Sequence, residues 1–257
     1  MSLLAWIILF SLLGGVLSVL AAAVFLLLPD SARNRMLPHF VSFAIGALLG
    51  AAFLALLPHA MQGVQNFHAL GLTILLGLLG FFLLEKLVLW RHCHAEHCEA
   101  HAPDEDTQDQ AAGTLILIGD GMHNLVDGVL IAAAFLTDIH LGIVTSLAVA
   151  AHEIPQEVGD FAVLLHSGYS RSKALWFNIL ASLTTLIGAL FAYWSLADFQ
   201  QVLPYILAVA ASSFIYIAVA DLIPGLHKRL HISATIQQLT LIVAGVLVIY
   251  LAHSTLH

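Results

Sequence analysis

Eight apolar runs constrain this chain more than any other feature. They cover roughly residues 3–28, 38–58, 70–90, 114–136, 142–165, 174–196, 203–224 and 235–253. Each is about 20 residues long, the length at which an α-helix crosses the hydrocarbon core of a bilayer. The 257-residue chain has 60% hydrophobic and 9% charged residues, against about 25% charged in an ordinary soluble domain. We therefore predict an all-α polytopic membrane protein with eight transmembrane helices, called spans 1 to 8.

The basic residues predict how the spans are oriented. All eight Lys and Arg residues fall on one side of an eight-span arrangement, and the opposite loops near 59–69, 137–141 and 197–202 contain none. Because Lys and Arg are enriched in cytoplasmic loops, we expect both termini to be non-cytoplasmic. The first run lacks a basic start and is longer than a signal-peptide core, so we interpret it as a retained helix. The compact size and short loops favour a bacterial inner membrane.

One loop is long and hydrophilic. Residues 91–113 show no apolar periodicity, so we expect a flexible cytoplasmic loop within a single transmembrane domain over 1–257. The loop supplies imidazole and thiolate donors at His92, Cys93, His94, His97, Cys98 and His101. We interpret them as a labile metal-binding segment, since so many redundant ligands disfavour a closed structural zinc site. The alternative is a polar linker.

Spans 4 and 5 carry polar side chains at matching depth near mid-membrane. These are Asp120, His123, Asn124 and Asp127 in span 4, and His152, Glu153, Gln156, Glu157 and Asp160 in span 5. A charged group at the bilayer centre costs at least about 2.5–3.5 kcal/mol on insertion scales. A cation between the carboxylates would relieve their mutual repulsion. We therefore predict a metal site between spans 4 and 5; the alternative is a set of hydrogen-bonded residues that joins the two helices.

The donor atoms narrow the choice of cation. Imidazole nitrogen with carboxylate and amide oxygen suits Zn²⁺, Fe²⁺, Mn²⁺, Co²⁺ or Cd²⁺. Pro155 removes the hydrogen-bond partner of the Ala151 carbonyl, which predicts a bend in span 5 beside the acidic residues. Asp120 and Asp160 are candidate auxiliary ligands. His59, at the non-cytoplasmic end of span 2, is a candidate for an entry path, or an interfacial residue.

Two motifs in spans 4 and 5 resemble a known family. HNLVDG (123–128) and HEIPQEVGDFAVLLHSG (152–168) are similar to the signatures of the ZIP (Zrt/Irt-like) metal transporters, in the branch whose second motif commonly reads HExPHE. The resemblance implies metal ligands at His123, Asn124, Asp127, His152, Glu153 and Gln156, with Glu157 completing the motif. It also implies a homodimer that moves divalent metal, most often zinc, into the cytoplasm by alternating access. The metal is then a substrate and not a cofactor, and we expect no nucleic-acid partner.

The chain departs from this pattern at two places. Gln156 stands where the branch usually has a histidine, and an amide oxygen is a weaker zinc ligand, so selectivity could shift toward Fe²⁺ or Mn²⁺. Thr184 and Thr185 stand in span 6 where some members carry a bridging glutamate. We therefore expect one principal transport site and not a two-metal centre.

Two rival functions fit parts of the sequence. An intramembrane zinc-dependent hydrolase is suggested by the likeness of HEIPQ to the HExxH motif. The second histidine is missing, however, and Pro155 disturbs the helical spacing that the motif needs. A metal-sensing membrane receptor would bind metal without moving it. We predict a transporter and not an enzyme.

Overall fold

Helices account for the regular structure in the described part of the chain. The structure is a computed structural model that describes residues 1–93, 105–196, 199–227 and 231–256, and no β-strand occurs in these ranges. The helices are α1 (Leu3–Gly14), α2 (Val16–Phe25), α3 (Asp30–Gly50), α4 (Leu57–Gln62), α5 (Phe67–Cys93), α6 (Glu105–Thr137), α7 (Ile139–His166), α8 (Arg171–Leu196), α9 (Leu203–Tyr216), α10 (Ile223–Leu226) and α11 (Ile232–Leu256). Two π-helical segments, Ala51–Leu56 and Ile217–Leu222, continue α3 into α4 and α9 into α10.

These helices correspond to the predicted spans. By length and composition, seven helical segments of the described residues can cross a membrane: Leu3–Phe25, Ser31–Gln62, Phe67–Leu84, Ile116–Thr137, Arg171–Leu196, Gln200–Leu226 and Ile232–Ser254. The remaining predicted span, span 5, is α7, which has 28 residues. Its polar side chains lower its hydropathy, and they are the ones that form the site described below. The all-α polytopic architecture is thus confirmed.

Several boundaries differ from the sequence-based expectation. Helix α5 continues to Cys93 and α6 begins at Glu105, so helix replaces both ends of the loop predicted over 91–113. Residues 94–104 lie outside the described residues. Helix α7 is continuous through Pro155, and the bend expected there stays a prediction. Span 1 is instead divided at Gly15, whose φ of −89° and ψ of −90° are not helical.

The two π-helical segments share a physical cause. Each is followed by a proline at the second position of the next helix, Pro58 in α4 and Pro224 in α10. A proline has no N–H, so the carbonyl four residues earlier, of Leu54 or Ala220, loses its α-helical partner. Both carbonyls lie inside the π segments, where the hydrogen-bond register is already shifted by one residue. Spans 2 and 7 therefore remain helical across their prolines.

Glycine allows α6 and α8 to pack with their backbones in contact. A Cβ atom on Gly128 would lie 1.9 Å from the Thr185 carbonyl oxygen, and one on Gly188 would lie 2.1 Å from the Leu125 carbonyl oxygen. Small residues permit such close approach between transmembrane helices. The last residue of HNLVDG is thus explained by packing, because no side chain fits between the two helices there.

We expect Gly128→Ala to destabilise the protein by forcing α6 away from α8. Overpacking of this kind costs about 1–3 kcal/mol. The matched control is Gly121→Ala in the same helix, where the added Cβ would meet its nearest atom, Thr184 Cγ2, at 3.8 Å, an ordinary contact. Thermal unfolding of the purified protein in detergent should show a lower midpoint for Gly128→Ala than for Gly121→Ala. Equal midpoints would contradict the packing argument.

Candidate metal centre

Four side chains that are distant in sequence meet between α6 and α7. Helix α6 contributes His123 and Asp127, which are one turn apart and therefore share a face; α7 contributes His152 and Glu153. One ligand atom from each lies within 4.8 Å of the others, and we call this group the mixed cluster. Asp127 and Glu153 are fully buried and His152 is 1% exposed, whereas the His123 side chain is 22% exposed. The mixed cluster is therefore enclosed except beside His123.

The distances within the mixed cluster match a cage for one small cation. The Nε2 atoms of His123 and His152 are 3.2 Å apart. The four imidazole-to-carboxylate separations are 3.3 Å for His152–Asp127, 3.5 Å for His123–Glu153, and 3.7 Å for both His123–Asp127 and His152–Glu153. A tetrahedral zinc site with metal–ligand distances of about 2.0–2.1 Å has ligand–ligand separations of about 3.3–3.4 Å. A tetrahedral ion therefore fits with small adjustments.

Hydrogen bonding orients His152 as a metal ligand. Its Nδ1 lies 3.1 Å from the Ala148 carbonyl oxygen, so we assign the proton to Nδ1, which donates to that oxygen. In the neutral ring the lone pair is then on Nε2, which faces the mixed cluster. Backbone carbonyls that accept a hydrogen bond from the other ring nitrogen commonly orient metal-binding histidines in this way. Phe214 of α9 packs its ring 6.1 Å from the His152 ring and closes this side.

The carboxylates of the mixed cluster accept no hydrogen bond among the described residues. Neither oxygen of Glu153 has a hydrogen-bond partner among the described residues, although the side chain is fully buried. A buried carboxylate without a partner is costly, and a bound cation would remove that cost. The arrangement can therefore hold a divalent metal ion through two nitrogens and two oxygens.

Asn124 lies outside the mixed cluster and joins α6 to α8. Its Nδ2 donates to Asp120 Oδ1 at 2.8 Å, and its Oδ1 accepts from the Thr185 hydroxyl at 2.7 Å. The neighbouring Thr184 hydroxyl lies 2.6 Å from the Gly121 carbonyl oxygen and donates across the same interface. Asn124 as a metal ligand stays a prediction. In the sequence, Thr184 and Thr185 were notable only because some family members carry a glutamate at this place. Their role in joining α6 to α8 depends on the close approach of the two helices at Gly128 and Gly188.

The other acidic residues form a second group beside the first. Asp120, Glu157 and Asp160 each place one carboxylate oxygen within 4.8 Å of the others, and we call them the carboxylate triad. The Gln156 side chain interacts with the Asp120 carboxylate, which puts its amide beside the triad. The residues predicted as one ligand set are thus divided between two neighbouring groups.

Two further sets of predicted residues fall elsewhere. His59 lies on α4, with Nδ1 2.9 Å from the Ala55 carbonyl oxygen and its ring 5.4 Å from the His253 ring. It belongs to neither group, and its entry role stays a prediction. His92 and Cys93 are the last residues of α5. The other loop donors, His94, His97, Cys98 and His101, lie outside the described residues.

A helical membrane bundle that encloses two imidazoles beside two buried carboxylates has the donor set of a cation-binding membrane protein. Comparison with known proteins gives the family. Residues 90–253 match the family model described as ZIP Zinc transporter. The chain is 33% identical over 229 residues to Zinc transporter ZIP13 of Pongo abelii, covering 84% of this chain and 66% of the relative. It is 30% identical over 273 residues to the Homo sapiens ZIP13, covering 88% and 73%. A shorter match, 42% over 133 residues, relates it to Zinc transporter foi of Drosophila melanogaster, covering 51% and 18%.

The chain therefore belongs to the ZIP zinc transporter family, and the resemblance found in the motifs is confirmed. Membership makes it an integral membrane protein concerned with metal-ion transport and not an enzyme. Metal is accordingly a substrate of the chain and not a cofactor. Both motifs lie inside the matched region, and together they supply the mixed cluster and the carboxylate triad.

We expect Co²⁺ to bind the mixed cluster with tetrahedral geometry, because the four donors are spaced for it. Purified protein titrated with Co²⁺ should develop the intense visible absorption of a four-coordinate ion. The band should be absent from His152→Ala and retained in His140→Ala, a histidine near the start of the same helix. The difference spectrum between wild type and His152→Ala removes any contribution of the cysteine-containing loop. A weak, six-coordinate spectrum in that difference would contradict the geometry.

Proposed function

We propose that this chain transports zinc or a related divalent transition-metal ion, and that the mixed cluster is its transport site. The observation that carries the proposal is the set of 3.2–3.7 Å separations among His123, Asp127, His152 and Glu153. The relatives reported above are named zinc transporters, which supports zinc as the first candidate. Iron, manganese, cobalt and cadmium are the alternatives.

The donor set supports an ion of intermediate softness. Two imidazoles and two carboxylates suit zinc, whereas a site for calcium or magnesium would use oxygen alone. Gln156 lies beside Asp120, so we do not assign it to the mixed cluster. Gln156 would then affect metal selectivity through the carboxylate triad.

We further propose that transport proceeds into the cytoplasm by alternating access. The positive-inside rule supports this direction, because it puts the loops that contain Arg33, Arg171 and Lys173 on the cytoplasmic side. A bound divalent ion compensates the two buried carboxylates, which makes the loaded site less costly to move within the membrane. The backbone contacts at Gly128 and Gly188 support movement of α6 and α8 as one rigid unit.

The assembly and its location are proposed from the sequence resemblance. We propose a homodimer in the lipid bilayer with both termini on the non-cytoplasmic side. The relatives named above are animal proteins, so they give no support to a bacterial inner membrane. That location stays a prediction from chain length and loop size.

We expect metal uptake by proteoliposomes to depend on His152. Zn²⁺ flux through His152→Ala should fall to the rate of protein-free liposomes, because the cage loses one of its two nitrogens. His140→Ala changes a partly exposed histidine of the same helix and should transport at the wild-type rate. Competition by Fe²⁺, Mn²⁺ and Cd²⁺ in the same assay gives the order of preference.

The same assay separates the rival functions. Undiminished flux through His152→Ala, at equal protein incorporation, would refute the transport site. A metal-sensing receptor would bind Zn²⁺ without any flux in the wild-type protein. An intramembrane hydrolase would cleave a lipid or peptide substrate while failing to move metal.

A further inference from the structure

Four of the six oxygens of the carboxylate triad accept no hydrogen bond among the described residues. Glu157 is 0% exposed and Asp120 is 4% exposed. Both oxygens of Glu157, Oδ2 of Asp120 and Oδ2 of Asp160 have no hydrogen-bond partner among the described residues. These atoms belong to three side chains whose oxygens approach one another within 4.8 Å. Four acceptor atoms of the triad thus lack a donor among the described residues, although its three side chains lie close together.

Glu157 is the residue that distinguishes the triad from an ordinary acidic cluster. Surface carboxylates are hydrated, so their proximity needs no counter-ion, but this side chain is completely buried. It sits one helical turn after Glu153 on α7 and therefore points toward the same side of the helix. The nearby amide groups interact with Asp120: Asn124 donates to its Oδ1 at 2.8 Å, and Gln156 also interacts with its carboxylate. Neither oxygen of Glu157 accepts a hydrogen bond from these amides or from any other described residue.

The triad lies on one defined side of the mixed cluster. Asp120 precedes His123 by three residues on α6, and Glu157 follows Glu153 by four residues on α7. These offsets are about 4.5 Å and 6 Å along the helix axes. Because α6 and α7 are joined at Asp138 and run in opposite directions, both offsets point away from that connection. This is the end of the bundle where α8 begins with Arg171.

We infer that Asp120, Glu157 and Asp160 form a second divalent-cation site, made only of oxygen ligands, on the exit side of the mixed cluster. The inference rests on the proposed transport function, since the orientation of exit comes from it. Oxygen-only sites suit hard cations such as Mn²⁺, and they hold zinc less tightly than imidazoles do. An ion that leaves the mixed cluster therefore meets a weaker site one turn away. Asp221, near the same end of span 7, is close enough to Asp160 for the two charges to interact.

Manganese binding to the purified full-length protein tests the second site. Mn²⁺ is a hard cation, and its free fraction is counted by electron paramagnetic resonance. Glu157→Gln keeps the size of the side chain and removes its charge, so it should bind one equivalent of Mn²⁺ fewer than wild type. Its Co²⁺ absorption should persist, because the mixed cluster is unchanged. Asp160→Asn, which alters the partly exposed member of the triad, should give the same result and serves as the second variant.

The outcomes separate this inference from the proposed function. Retention of the full Mn²⁺ stoichiometry by both variants would overturn the second site. Loss of the Co²⁺ band together with the Mn²⁺ equivalent, in a variant that elutes as folded protein in size-exclusion chromatography, would also overturn it by making the two groups one site. His152→Ala should lose the Co²⁺ band and keep the triad's Mn²⁺ equivalent. The proposed function is judged independently, by Zn²⁺ flux through His152→Ala.

Discussion

Two fully buried carboxylates face two imidazoles in the middle of an apolar helix pair. Asp127 and Glu153 lie 3.3–3.7 Å from the Nε2 atoms of His123 and His152, and both oxygens of Glu153 have no hydrogen-bond donor among the described residues. In a low-dielectric interior such groups repel one another and are poorly solvated. A divalent cation at their centre would convert the repulsion into attraction. The polar side chains of α7 in mid-membrane, His152, Glu153, Gln156, Glu157 and Asp160, fit this requirement.

The rest of the bundle holds these side chains at the correct separation. Glycine contacts bring α6 against α8, and this approach allows the Thr185 hydroxyl to reach the Asn124 amide. Asn124 is thereby fixed between α8 and Asp120, on the helix that carries His123 and Asp127. Phe214 covers His152 from α9. The mixed cluster thus depends on side chains of four helices, although its own four residues come from two.

Much of this arrangement was predictable from sequence. Apolar length predicted the spans, and helical spacing with matched depth predicted that His123, Asp127, His152 and Glu153 would meet. The interactions of the Gln156 and Asn124 side chains were not predictable from sequence. Residues next to each other on one helix point to different sides, and the groups they meet there depend on how a third helix packs. The break at Gly15 has the same origin: a Cβ there would lie 2.7 Å from the Ser182 carbonyl oxygen of α8. The π segments before Pro58 and Pro224 depend on local hydrogen bonding that apolar periodicity does not report.

X-ray absorption at the zinc edge, on protein loaded with one equivalent of Zn²⁺, tests the central claim most directly. If the mixed cluster binds the ion, the spectrum should show four nitrogen or oxygen ligands at about 2.0–2.1 Å, with the outer-shell scattering of two imidazoles. The imidazole scattering should weaken in His152→Ala. A first shell of sulfur at about 2.3 Å, or a six-coordinate oxygen shell without imidazole scattering, would show that zinc prefers another site and would contradict the account.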